Sequence, residues 1–286
     1  MTQRELTAGE MGHEVRAAAK ETARSSWVRG LARLGFVAIG LVYLLTAVLA
    51  VRLALGIERV TPDKEAALLE ILAAPFGRGL LAVVAAGLFG YTLWRIIEAL
   101  LDINDKGHDL KGLGARASCL ISAIFYGGLG VQAARMALGR WRDSGDDPSQ
   151  TWTARLLAQP LGMWLVIALG LGVIAAGISQ LVYAWKAGFQ EHMALHKLSP
   201  GEQRWATLAG RVGYGARAIV LGLAGVFFIR AALSFDPSQA RGFGGTLAEL
   251  AGGAGGAWLL GAVALGLAAY GIFALVLARY HRVLCR

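Results

Sequence analysis

Cysteine is nearly missing from this chain. Its two copies, Cys119 and Cys285, stand at the start of an apolar segment and at the penultimate position, which argues against a disulfide framework. The ending Cys285–Arg286 is no prenylation box either. Charge is scarce: 16% of the 286 residues are charged and 56% are hydrophobic, a balance that excludes an ordinary soluble domain. Catalytic motifs are also lacking. There is no nucleophile elbow, phosphate-binding loop, dinucleotide fingerprint or pair of acids inside an apolar run. The glycine cluster from Gly252 to Gly256 has neither the lysine nor the strand of a phosphate loop. The expectation is a protein that is not an enzyme and needs no cofactor.

Long uncharged runs are what the chain has instead. Three arginine pairs, Arg33 and Arg52, Arg116 and Arg135, and Arg211 and Arg230, are each 19 residues apart. At a rise of 1.5 Å per residue that is about 28 Å, close to the ~30 Å hydrocarbon thickness of a bilayer. The first two intervals hold no charge and the third holds one, Arg217. Each of these spans is followed by another: about Gly79–Leu101, Pro160–Trp185, and a run within Leu250–Ala278. The first apolar segment is longer than a signal-peptide core and no small-residue cleavage site follows it, so it reads as a permanent span. Thirty-nine glycines suit close helix packing.

The six spans repeat as three hairpins. A shift of 83 carries Arg33, Tyr43, Arg52, Ala54, Leu55 and Gly56 onto Arg116, Tyr126, Arg135, Ala137, Leu138 and Gly139. A shift of 178 carries Arg33, Gly35, Arg52, Ala54 and Leu55 onto Arg211, Gly213, Arg230, Ala232 and Leu233. In the second halves Pro75, Gly77 and Gly87 match Pro160, Gly162 and Gly172, while Glu70, Gly77, Gly87 and Tyr91 match Glu249, Gly256, Gly266 and Tyr270. The division is an N-terminal tail, 1–26, followed by two-span repeats at 27–102, 113–189 and 205–283. The expected fold is an all-α, six-helix transmembrane bundle of three parallel hairpins about a pseudo-threefold axis, because each unit enters and leaves on one side. Eighteen of the 28 Lys and Arg residues fall on the side of the termini, which places both termini in the cytoplasm.

Each outer loop carries a short helical pattern. In the first, Thr61–Pro62–Asp63 supplies an N-cap, a proline at the first helical position and an acidic first turn before Lys64–Ala73. Thr151–Ala158 and Thr246–Ala251 are its counterparts, all three expected at headgroup level.

Candidate site residues are few. Arg52, Arg135 and Arg230 lie about one turn before the outer ends of the odd-numbered spans, where arginine snorkels to phosphate. A ring of the three would suit an anionic lipid or solute. Arg217 either snorkels back to the cytoplasmic side or pairs within the membrane with Glu98, which should lie at similar depth. His192 and His196 share a helix face, but nothing nearby completes a metal site. Gln132 and Gln180 suit hydrogen bonds between helices. The net charge of +9 is gathered at span ends, where it meets anionic lipid, rather than on a soluble face for nucleic acid.

The segments RLGFVAIGLVYLLTAVLAVRLALG, ARASCLISAIFYGGLGVQAARMALG and GRVGYGARAIVLGLAGVFFIRAALS, with the turns APFGR and QPLG, resemble a bacterial membrane family, the domain of unknown function numbered twelve hundred and six. The likeness covers roughly Trp27–Val283, and the third unit departs from it with Ala254 in place of Pro75 and Pro160. The resemblance implies three tandem two-span modules in a bacterial plasma (inner) membrane, and no activity. The expected function is a non-enzymatic module that binds anionic lipid headgroups or a membrane-protein partner. The alternative is transport of a small solute or ion between the repeats.

Overall fold

A long apolar run without an internal proline leaves its backbone one economical way to pair every N–H and C=O in lipid, the α-helix. The computed structural model describes residues 26–57, 61–101, 110–141, 148–193, 199–253 and 255–280. In chain order the helices are α1 (Ser26–Ala54), α2 (Lys64–Ala73), α3 (Gly77–Leu101), α4 (Leu110–Ala137), α5 (Pro148–Leu157), α6 (Gly162–Trp185), α7 (Pro200–Leu233), α8 (Phe243–Gly252) and α9 (Gly256–Tyr280). Six of them, α1, α3, α4, α6, α7 and α9, are long and apolar enough to cross a membrane. The tail before Ser26, Ala254, His196 and Cys285 lie outside the described residues.

The helix ends are set locally. Ser199 and Glu202 form a reciprocal capping box at the start of α7, with Pro200 in the first turn. At α2 the cap differs from the sequence expectation: Asp63, not Thr61, accepts the N–H of Ala66 at 2.7 Å. Pro62 stands before the helix, because a carboxylate one residue from the first turn reaches the free N–H groups directly.

Two left-handed positions recur in all three units. Gly56 (φ 69°), Gly139 (φ 67°) and Phe235 (φ 52°) terminate the odd spans. Phe76 (φ 59°), Leu161 (φ 65°) and Gly255 (φ 72°) turn each short helix into the returning span. The next residue is glycine each time, Gly77, Gly162 and Gly256, where a Cβ would strike the carbonyl of Leu72, Leu156 or Leu250. The glycine noted in the sequence alignment therefore sets the turn, with or without a proline two residues earlier.

Each unit seats its second span on the first span of another: α3 on α4, α6 on α7 and α9 on α1. The last of these brings the end of the chain back against its start. Small residues make the approaches close. A Cβ on Gly40 would lie 2.9 Å from the carbonyl of Gly271, and one on Gly170 would lie 2.8 Å from that of Gly225. Inside units one and three the hairpins also close, α1 on α3 and α7 on α9. There Tyr91 fills the notch of Gly35 and Tyr270 that of Gly213, an aligned pair. Unit two is different: among the described residues its own spans, α4 and α6, share no packed interface.

Candidate functional site

Lys64 opens α2, yet it is only 7% exposed. The short helix does not carry this residue to the surface. Its start sits beside the middle of α1, where the Thr46 hydroxyl lies 3.4 Å from the Asp63 carbonyl, while Glu70 further along reaches Arg52 at 2.9 Å. Lys64 Nζ is walled by four rings: Phe125 (4.0 Å to centroid), Phe243 (4.5 Å), Tyr43 (5.0 Å) and Tyr126 (6.0 Å). No described carboxylate forms a salt bridge with it. The neighbouring Asp63 turns Oδ1 onto its own helix. Burial first, and the charge of Arg217 second, hold the Lys64 ammonium well below the usual lysine range, with Asp63 opposing.

A second cation shares the same ring. The Arg217 guanidinium carbon lies 5.2 Å from Tyr43, 4.4 Å from Tyr270 and 5.8 Å from Tyr214. Both charges thus flank Tyr43 at about 5 Å and stand no more than about 10 Å apart. Nε of Arg217 is enclosed without a hydrogen-bond partner. Cation–π contacts contribute up to about 2 kcal/mol each when desolvated, far less than the hydration an isolated buried charge gives up. Mutual repulsion at this separation adds about 2 kcal/mol at an effective dielectric constant of 20. An anion between the two would remove both costs.

The tyrosines around this pair sit at aligned positions. Tyr43 meets Tyr270 edge-on at 4.7 Å across α1 and α9, and Tyr126 meets Tyr91 at 5.0 Å across α4 and α3. Tyr43 and Tyr126 are one repeat position, Tyr91 and Tyr270 another. On the loop side the starts of the three short helices converge: Gly244 abuts Asp63, Gly242 abuts Ser149, and Gln150 donates to the Ser238 carbonyl at 3.4 Å. On the side of the termini Tyr214 rests on Phe189 and Phe273. Phe189, from the 3-10 turn Gly188–His192, is 1% exposed, stacks on Tyr214 at 6.0 Å and meets Phe273 edge-on at 4.9 Å.

Of the residues singled out from sequence, Arg217 reaches this site, while Glu98, Arg52, Arg135, Arg230 and Gln180 fall elsewhere. Arg217 and Glu98 do not pair: Glu98 takes Arg95 at 2.9 Å on its own helix, and Arg217 points into the tyrosines. An i,i+3 neighbour needs no second helix to be brought into register, so it captures the carboxylate. Arg95 also donates to the Tyr91 hydroxyl at 2.8 Å and approaches Cys119 Sγ at 3.7 Å. Arg52 is half-buried and held by Glu70, whereas Arg135 and Arg230 are exposed. Among the described residues no salt bridge ties the three to a common partner. Gln180 encloses its Oε1 without a partner. His192 ends the 3-10 turn, and among the described residues no cluster of three metal-ligating side chains occurs. Lys64 was missed from sequence. Its signal was a cation in the first turn of a helix, against the dipole, in a segment otherwise read as a surface helix.

Comparison with known proteins agrees with the repeat. A family model described as Domain of Unknown Function (DUF1206) matches three segments, residues 34–102, 117–187 and 212–281. An uncharacterized protein of Bacillus subtilis strain 168, YxxB, is 35% identical over 257 residues, covering 90% of this chain and 92% of that one. No solved structure matches.

Proposed function

The chain belongs to the DUF1206 family, and we propose that it is a non-enzymatic membrane module that holds an anionic group, phosphate or carboxylate, in the core between its repeats. The observation that carries this reading is the pair Lys64 and Arg217, two buried or half-buried cations flanking Tyr43. Neither makes a salt bridge to a described carboxylate. Arginine supplies a planar fork for an oxyanion and lysine a point charge beside it.

In this reading the three hairpins stand about a pseudo-threefold axis along the membrane normal. The pairing of each second span with another unit's first span supports that arrangement. The short helices occupy the headgroup level at their far ends, with Phe76 and Trp258 exposed there. The membrane is the bacterial inner membrane, with both termini cytoplasmic on the strength of the Lys and Arg excess. Transport along the axis has less support, because converging helix starts fill one end and Phe189 with its neighbours fills the other.

Melting of the purified full chain in detergent tests the reading. Phosphatidylglycerol or inorganic phosphate should raise the midpoint more than phosphatidylcholine or chloride does. Arg217→Gln should erase the difference. Equal responses to all four in the unaltered protein would end the proposal.

A further inference from the structure

The second repeat does not close on itself. α4 packs on α3 and α2, and α6 packs on α7, but α4 and α6 share no packed interface. α6 buries a single stripe, Gly162, Val166, Gly170, Gly177 and Ala184. That stripe is the face toward α7, since Gly170 meets Gly225 and Gly177 meets Ala218. The rest of α6 is exposed or half-buried and largely apolar, Leu165, Leu169 and Leu171 among it.

On α4 the break runs up to the cationic site itself. Phe125 is the ring nearest Lys64, at 4.0 Å, and is nevertheless 49% exposed. The wall of the lysine cage is therefore also a wall of the break. One turn on, Gly128 is exposed, and a Cβ there would meet nothing within 4 Å. The starts of α2, α5 and α8 converge at one end and Phe189 packs on Phe273 toward the other, so the route considered is the sideways one between α4 and α6.

From this placement we infer that the ligand is an anionic membrane lipid, which passes between α4 and α6 to set its phosphate against Lys64 and Arg217 while its acyl chains stay in the break. A lipid matches both halves of the site. Its headgroup carries the oxyanion that two cations call for, and its chains are the apolar surface that an uncovered span in a bilayer meets. A water-soluble phosphate would satisfy the cations alone and leave α6 uncovered. The inference rests on the anion-site reading of the preceding section.

A photo-crosslinking side chain separates the possibilities. Benzoylphenylalanine replaces Phe125 in the full chain, reconstituted in nanodiscs of equal phosphatidylglycerol and phosphatidylcholine, and captured lipid is identified by mass. The same group at Leu265, exposed on α9, reports the bulk composition. Position 125 should capture the anionic lipid over the neutral one by about tenfold relative to position 265, the preference expected for one charge-assisted contact. Arg217→Gln should return the ratio to that of position 265. Gly128→Phe, which fills the break without touching either cation, should lower capture severalfold while the melting response to inorganic phosphate persists.

Bulk-ratio capture at position 125, or a crosslink to a second copy of the chain, would overturn the lipid route. If inorganic phosphate still raised the melting midpoint through Arg217, the anion site would stand and only the lipid would fall. Loss of both responses would remove both proposals.

Discussion

In the proposed site Lys64 serves binding at a cost to folding. A buried ammonium without a carboxylate is a destabilising element, and replacing such a charge with an apolar side chain of similar length often stabilises by about 1–4 kcal/mol. Lys64→Met is therefore expected to raise the melting midpoint while abolishing the response to anionic lipid or phosphate. The pH dependence has a definite sign. The folded chain holds this proton less tightly than the unfolded one, so stability rises with pH between the lowered value and the ordinary ~10.4 of lysine. Lys64→Met should flatten that rise in melting curves recorded from neutral to alkaline pH. Glycines give a sharper contrast. A Cβ on Gly213 would lie 2.6 Å from Tyr270 Cα, and Gly213→Val should cost about 1–3 kcal/mol. Gly261 has nothing within 4 Å, and Gly261→Ala should stabilise by up to about 1 kcal/mol. At this scale the sequence exposed Arg217, because a charge inside an apolar run is visible. It concealed Arg217's surroundings, because tyrosines from α1, α7 and α9 meet only once the helices pack.

Among elements, the short helices show where pattern reading works and where it stops. Lys64–Ala73 was legible to the residue as α2, since Asp63 and the apolar spacing bracket it. α5 begins three residues earlier than expected, at Pro148, a residue suited to a first helical turn. α8 begins three residues early too, at Phe243, because Gly244 must be small where it abuts Asp63. That is a tertiary demand which no local pattern carries. Asp63→Ala removes the cap of α2 and should cost about 1 kcal/mol; if α2 also seats Lys64, the anion response should weaken with it. The left-handed turns allow an opposite test. Phe76, Leu161 and Phe235 adopt φ values that cost a side-chain-bearing residue about 1–2 kcal/mol. Leu161→Gly is expected to raise the melting midpoint, since that side chain is 74% exposed and loses little packing.

Across the whole molecule, six spans and three repeats could be read from the arginine spacing, because bilayer thickness fixes helix length independently of tertiary contacts. The unequal seams could not. Tyr43–Tyr270 and Tyr126–Tyr91 lock two contacts between units, while α6 and α7 set Tyr183 against Tyr214 at 5.1 Å and bring Gly170 against Gly225. Orientation is open to direct measurement: reporter fusions at Asp146 and Lys197, both outside the described residues, should report periplasmic and cytoplasmic placement respectively. The reverse pattern would invert the topology. The open seam between α4 and α6 has one more consequence. Severed between Trp141 and Pro148, the polypeptide becomes two halves of three spans each, one holding α1, α3 and α4 and the other α6, α7 and α9. They retain the glycine-to-glycine joint of Gly40 and Gly271 as their clasp. Co-produced as separate chains, the halves should find each other and co-purify, and Gly271→Leu, which jams that clasp, should leave them as strangers.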